Sequence, residues 1–253
     1  MPGPSGPALP PLFSLVTHDV LGSTSDEAKR LATEGAPHGT LVWAREQTGG
    51  RGRLDRSWVS PRGNLFMSVV LRPEAPPAQA AELGFVAALA VAETVSAFVP
   101  ADVPVLLKWP NDVLAAGGKI AGILLEARSG MAGLVDWVVL GIGINIVAAP
   151  SATPYPATCL GAHAPAPPVD TVLQLLATAL AQHLQTWEGR GFPPIRDAWL
   201  SRARGLGEVL EIRHGGELVK GRFLDLDMDG ALVLETRTGV RRITAGDVHF
   251  PAG

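Results

Sequence analysis

The chain alternates between blocks whose apolar positions recur every second residue and blocks whose apolar positions recur every third or fourth. SLVTHDV (Ser14–Val20) has strand character, and GSTSDEAKRLATEG reads as an amphipathic helix, with Thr24 and Glu27 at capping-box spacing and Gly35 as its stop. TLVWARE (Thr40–Glu46) and NLFMSVVLR (Asn64–Arg72) are strands, the second mostly buried, and an Arg/Gly-rich loop joins them. Residues Pro77–Val99 predict a core helix, VLLKW a short strand, DVLAAGGKIAGILLEA a hairpin turning at Gly117 and Gly118, and LVDWVVLGIGINI a further strand. A Pro/Ala connection, Ala148–Pro168, precedes helical periodicity over Val169–Gly189 and Pro194–Ala203. From Gly207 short alternating segments separated by HGG, MDG and TG turns predict four or five strands in a small barrel. A domain boundary near Leu206 gives a Pro-rich lead-in over 1–12 that is expected to be disordered, a large domain over 13–205 and a small one over 206–253. No internal repeat stands out.

Composition narrows the function classes. With 253 residues, 47% hydrophobic and 18% charged, the chain should bury a sizeable core. A formal net charge of -3 argues against a body-wide basic surface for nucleic acid, so any anion site is local. The single cysteine, Cys159, has no partner for an intrachain disulfide, and the first residues lack a basic, then apolar, export signal; a reducing, cytoplasmic setting fits. The apolar run Leu83–Val99 carries Glu93, Thr94 and Ser96 and is short for a bilayer, so no membrane association is expected. Several near-motifs fail. GGKIAG follows Lys119 with Ile120 where a P-loop needs Ser or Thr, LGIGINI has Ile146 where a dinucleotide fingerprint needs Gly, and DLDMDG lacks a carboxylate at Thr236. Asp229-Gly230 is better read as a hairpin turn, and the six scattered histidines predict no structural metal.

GGRGRLDRSW (Gly49–Trp58) concentrates Arg51, Arg53 and Arg56 among Gly49, Gly50 and Gly52. Guanidinium groups fork onto phosphate oxygens, and glycines let a loop move, so the segment could close over a polyphosphate; an ordinary solvated Arg/Gly loop is the alternative. Lys108 and Lys119, two of four lysines, flank WPND. That turn could hold a ribose, a base edge or Mg²⁺, or be an ordinary polar turn. The Lys119 ammonium leaves an apolar strand, toward a pocket or as an exposed hairpin lysine.

Together these segments resemble the biotin protein ligase family. QTGGRGRLDRSW is similar to its adenylate-binding loop, KWPND to its nucleotide turn, KIAGILLE to its catalytic-lysine strand and GIGIN to its second nucleotide segment, in family order and at family-like spacing. The resemblance runs from about Leu15 to the end. It implies an α+β fold: a mixed-sheet catalytic domain with helices on one side, then a small SH3-like β-barrel. It implies an ATP-dependent ligase that makes biotinyl-adenylate and pyrophosphate from biotin and Mg²⁺-bound ATP, then passes biotin to a lysine of a biotin carboxyl carrier protein, such as that of acetyl-CoA carboxylase.

By the same resemblance Lys119 contacts the carboxylate and α-phosphate, and Arg53 and Arg56 the phosphates. Asn111 and Asn145 hold the nucleotide, and Trp58 covers the adenylate. Ser23, Thr24, Ser25 and Gln47 surround the ureido ring, with the backbone of Arg51, Gly52 and Arg53, while Gly122 and Gly141 leave space for the bicyclic ring. Ser25 stands where many members have Asn, and Leu54-Asp55 where others have Arg-Gly, which lowers loop charge. About a dozen residues precede the first strand, too few for the DNA-binding helix-turn-helix of repressor members, so no nucleic-acid partner is expected. An exposed sheet edge could pair two protomers into a homodimer. The competing readings are a non-catalytic biotin-responsive binding protein, a lipoate-type ligase, and a single-strand nucleic-acid binder using Trp43, Trp58 and Trp109 as stacking platforms.

Overall fold

The strands expected before Ala148 all join one sheet. The computed structural model describes residues 7–250 apart from 152, 154 and 215. It orders β1 (Ser14–Leu21), β2 (Thr40–Gln47), β3 (Leu65–Leu71), β4 (Val105–Lys108), β5 (Asp112–Ala115), β6 (Gly118–Ser129) and β7 (Val135–Ile144) as β1-β2-β3-β7-β6-β5-β4. β1 runs parallel to β2 and every other neighbouring pair is antiparallel, which makes the expected mixed sheet. Residues 1–6 of the lead-in lie outside the described residues; of the rest, Leu9 is half-buried against the core.

Side chains alternate across a strand, and the two sheet faces do different work. Leu41, Trp43, Met67, Val69, Leu140 and Ile142 belong to the main core with residues of the three long helices beyond α1 and α2. Those elements are α1 (Thr24–Thr33), α2 (Pro77–Ala80), α3 (Leu83–Ser96), α4 (Val169–Arg190) and α5 (Phe192–Leu200). Phe85 of α3 meets Phe192 and Trp199 of α5 edge-on, with centroids 5.3 and 5.6 Å apart. Val42, Val70 and Val139 point the other way and pack on Ala28 and Ala32 of α1. Helix α1 therefore occupies the second face and covers only part of it. The remainder carries Ser68, Gly122, Gly141 and Gly143, small residues that leave the strands' backbone open.

Local differences from expectation have physical causes. The helix cap is Ser23, whose side chain accepts from Asp26 N at 3.4 Å; Thr24 is drawn instead to Gln47. The helix expected over Pro77–Val99 is divided at Ala81–Glu82 by a tighter turn, in which Gly84 N donates to Ala81 O. The β5–β6 hairpin turns one residue early, at Ala116 and Gly117, which both adopt positive φ (47° and 81°) as a type I′ turn requires. The C-terminal strands β8 (Val209–His214), β9 (Glu217–Leu226), β10 (Leu232–Thr236), β11 (Gly239–Ile243) and β12 (Asp247–His249) form an antiparallel sheet of order β11-β10-β9-β8-β12. Edges β11 and β12 do not pair, so the expected barrel is left open. β12 spans only three residues, too few to close it.

Asn64 ties the sheet to the Pro/Ala segment. It is 1% exposed, and its Oδ1 accepts from the backbone of Ile146, Val147 and Ala148 at 2.9, 3.0 and 3.2 Å while Nδ2 donates to Ala148 O at 2.8 Å. One side chain thus satisfies three donors where β7 ends and steers the following segment back over the open face.

Candidate active site

The arginine loop folds on itself as a small hairpin: Trp58 N donates to Gly50 O at 2.8 Å and Gly52 N to Arg56 O at 2.6 Å. A Cβ on Gly50 would lie 2.5 Å from both Ser60 Oγ and Trp58 O, so close approach, beyond mobility, demands glycine there. At the tip Leu54 holds φ 54°, a left-handed conformation costing a non-glycine residue about 1–2 kcal/mol. The loop is strained and 74% exposed at that residue, which favours opening.

The site residues implied by the family resemblance all line one cavity of about 540 Å³ on the open sheet face: Ser23, Thr24, Ser25, Gln47, Arg51, Gly52, Arg53, Arg56, Trp58, Asn111, Lys119, Gly122, Gly141 and Asn145. At one end the start of α1 builds a polar, buried wall. Gln47 Oε1 accepts from Thr24 N at 2.7 Å and Thr24 Oγ1 at 3.0 Å, and Gln47 Nε2 donates to Ser60 Oγ at 2.9 Å. Thr24 and Ser25 hydroxyls lie 2.9 and 3.1 Å from Ser68 Oγ. Gly141 faces this wall, since a Cβ there would lie 2.6 Å from Ser25 Oγ. Glycine at 141 thus makes room for Ser25.

The other end is cationic. Arg51, Arg53, Arg56 and Lys119 line the cavity against two carboxylates, Asp112 and Asp247. Lys119 Nζ sits 2.6 Å from Asp112 Oδ1 and 5.4 Å from the Trp58 ring centroid. Arg53 Nη1 donates to Asn111 Oδ1 at 3.1 Å, and Asn111 Nδ2 to Ile123 O at 2.7 Å. Burial pushes the Arg53 guanidinium below its ordinary value while Asp247 and Asp112 act against that, and an arginine so placed stays charged. Arg51 turns outward to Asp26 at 2.5 Å and Glu126 at 3.5 Å, which anchors the loop and leaves its backbone to the cavity. Arg56 is engaged by Asp247 of β12. Lys108 does not line the cavity; its buried ammonium lies 4.5 Å from the Tyr155 centroid, and burial pushes its pKa down.

Trp58 lies flat on the glycine floor: a Cβ would come within 2.6 Å of its Nε1 from Gly143 and 2.9 Å of its Cζ3 from Gly122. Among the described residues its buried Nε1 has no hydrogen-bond partner, nor have Asn145 Oδ1 and Arg51 Nε, so polar atoms around the cavity are left for a ligand to satisfy. Trp43 and Trp109 are 2% and 3% exposed, with Trp109 Nε1 donating to Gly230 O at 3.0 Å. Neither offers a stacking face, which removes two platforms from the single-strand nucleic-acid reading.

Sequence reasoning missed Gly143, Tyr155 and Asp247, which line the cavity, and Ser68, whose hydroxyl backs the wall made by Thr24 and Ser25. Ser68 had a signal: it is the polar position in an otherwise apolar strand, buried at every residue. Gly143 stood inside the GIGIN segment. Tyr155 and Asp247 reach the site from a connection and from the C-terminal sheet, where nothing local announces them.

The site has known counterparts. A model of the biotin/lipoate A/B protein ligase family matches residues 18–145, and one of the biotin protein ligase C-terminal domain matches residues 206–250. The chain is 43% identical over 235 residues to the biotin–acetyl-CoA-carboxylase ligase of Paracoccus denitrificans, covering 90% of this chain and 97% of that protein. It resembles the biotin protein ligase of Aquifex aeolicus in complex with biotin and ATP, with TM-score 0.79, 27% identity and coverage of 93% and 97%. The Leishmania major biotin protein ligase in complex with biotinyl-5-AMP gives TM-score 0.63 at 25% identity, over 93% of this chain and 100% of that one.

Proposed function

The chain belongs to the biotin/lipoate A/B protein ligase family, and on that premise we propose that it activates biotin with ATP and transfers it to a lysine of the carrier protein of acetyl-CoA carboxylase. The observation that carries this reading is the division of one cavity into a polar, glycine-floored end and a cationic end roofed by the arginine loop. The first suits a neutral, rigid ring system whose ureido group needs donors and acceptors; the second suits a phosphate chain.

In the first step a biotin carboxylate oxygen attacks the α-phosphorus, and the bond to the bridging oxygen breaks as pyrophosphate departs with its electrons. Two anions must meet, so cations must offset their repulsion and the charge growing at phosphorus. Lys119 reaches carboxylate and α-phosphate by exchanging its Asp112 contact, Arg53 and Arg56 take the phosphates, and Asn111 and Asn145 hold the nucleoside. Thr24, Ser25 and Gln47 address the ureido group, with Ser23 capping the helix that presents them. Trp58 must lift from its floor to admit a ring and then covers it. Magnesium would come with the nucleotide and offset phosphate charge, and Asp112, the cavity carboxylate freed as Lys119 turns to the phosphates, is the side chain that would hold it. In the second step the carrier lysine's amine attacks the acyl carbon and AMP leaves.

A free Cys159 suits a reducing, cytoplasmic setting. β1 is an outer strand of its sheet, whereas segment 202–204 bonds along the free side of β4, so β1 is where two protomers would pair. Calorimetric titration with biotin and then ATP tests the reading: both should bind, with pyrophosphate released on the second addition. Binding of lipoate in place of biotin would make it a lipoate-type ligase, and binding of biotin without pyrophosphate release would make it a non-catalytic sensor.

A further inference from the structure

Two stretches roof the cavity, the arginine loop (48–60) and the Pro/Ala connection at Pro150, Thr153, Tyr155 and Ala157, and both fasten to one short strand of the C-terminal sheet and the turn before it. From the first, Arg56 Nη2 is paired with Asp247, and Arg53 Nη1 donates to the Gly246 carbonyl at 3.4 Å. From the second, the Tyr155 hydroxyl lies 2.6 Å from His249 Nδ1, with ring centroids 5.3 Å apart. Asp247 and His249 are two residues apart on β12 and share a face, while Val248 between them is 2% exposed and pairs with Ile212 of β8. The preceding turn is just as constrained: a Cβ on Gly246 would lie 2.7 Å from Ile212 Cγ2 and 2.9 Å from Arg213 O. The strand is pinned inward and presents two side chains outward, one to each roof segment.

We propose that β12 is a shared latch, with Asp247 and His249 as positioning residues that make the two roof segments open and close together. An ion pair as exposed as Arg56–Asp247 holds little by itself. Two fastenings on one rigid strand hold better, because once the first has formed, the second closes without ordering the strand again. The consequence for catalysis rests on the ligase reading: a latch that keeps both segments down keeps the adenylate from leaving before the carrier arrives.

Trypsin tests the latch in the full-length, ligand-free protein, because it cuts after Arg53 and Arg56 only when their loop opens. Tyr155→Phe removes one hydroxyl on the other segment and leaves the ring beneath Lys108. The latch predicts that Tyr155→Phe and His249→Gln each speed cutting in the arginine loop about fivefold, as Asp247→Asn does, and that Tyr155→Phe with Asp247→Asn cuts no faster than the faster single variant. Wild-type cutting in Tyr155→Phe and His249→Gln, or multiplied effects in the double variant, would overturn it. Release of free biotinyl-adenylate should rise in the same variants, with Asp247→Glu restoring retention. A wild-type protein that formed no adenylate yet kept the tryptic pattern would refute the ligase reading and leave the latch supported.

Discussion

Lys119→Ala is expected to abolish adenylate formation, lowering pyrophosphate release by about a thousandfold. One preorganised donor aimed at developing charge is worth about 10²–10³ in rate, and here the loss is compounded. The ammonium faces Asp112 at 2.6 Å, so alanine would leave an unpaired carboxylate where two more anions must meet. The fold should tolerate the change, because the backbone of residue 119 is held independently of its side chain. Its N–H donates to Pro156 O at 2.8 Å and its carbonyl accepts from Thr158 N at 2.9 Å. Pyrophosphate release measured with biotin and ATP reports the step directly, and a rate near wild type would contradict the role given to this lysine.

Arg53→Gly should let the intermediate escape and label bystander proteins. Arg53 links the loop to Asn111 on the sheet and to the Gly246 carbonyl on the C-terminal sheet, and its replacement severs both. Charge-assisted hydrogen bonds contribute about 1.5–3 kcal/mol each, so losing the phosphate contact alone should raise adenylate release about a hundredfold, at 1.4 kcal/mol per decade. Incubation with biotin, ATP, the carrier and an excess of an unrelated protein reads the outcome. Biotin on both proteins is expected, and undiminished selectivity for the carrier would count against a retaining role.

Most of this site could be read from the chain because its chemistry sits in contiguous segments. The loop around Arg53, the turn at Asn111 and the strand starting at Lys119 each carry several functional side chains with the glycines that make room for them. Strand periodicity likewise marked the sheet, since Leu41, Val69 and Leu140 alternate with positions on the other face. What escaped depends on distance in sequence. Asp247 meets Arg56 only because the C-terminal sheet folds back over the cavity, and Tyr155 arrives on a segment that Asn64 steers from β3. The cap moved from Thr24 to Ser23 because a tertiary partner, Gln47, outbid the local motif. Helix α1 lies across the sheet from α3, α4 and α5, on the face where the cavity opens; the hydrophobic pattern of an isolated helix does not say which face it will cover.

A crystal structure of the protein grown with biotin and ATP bears most directly on the central claim, that a glycine-hinged cluster of guanidinium groups comes down beside one ammonium to shield an acyl phosphate. Arg53 and Lys119 should converge on the same phosphate, with the loop ordered over it and Trp58 against the bound ligand. A loop pointing into solvent, with neither cation touching either ligand, would contradict it.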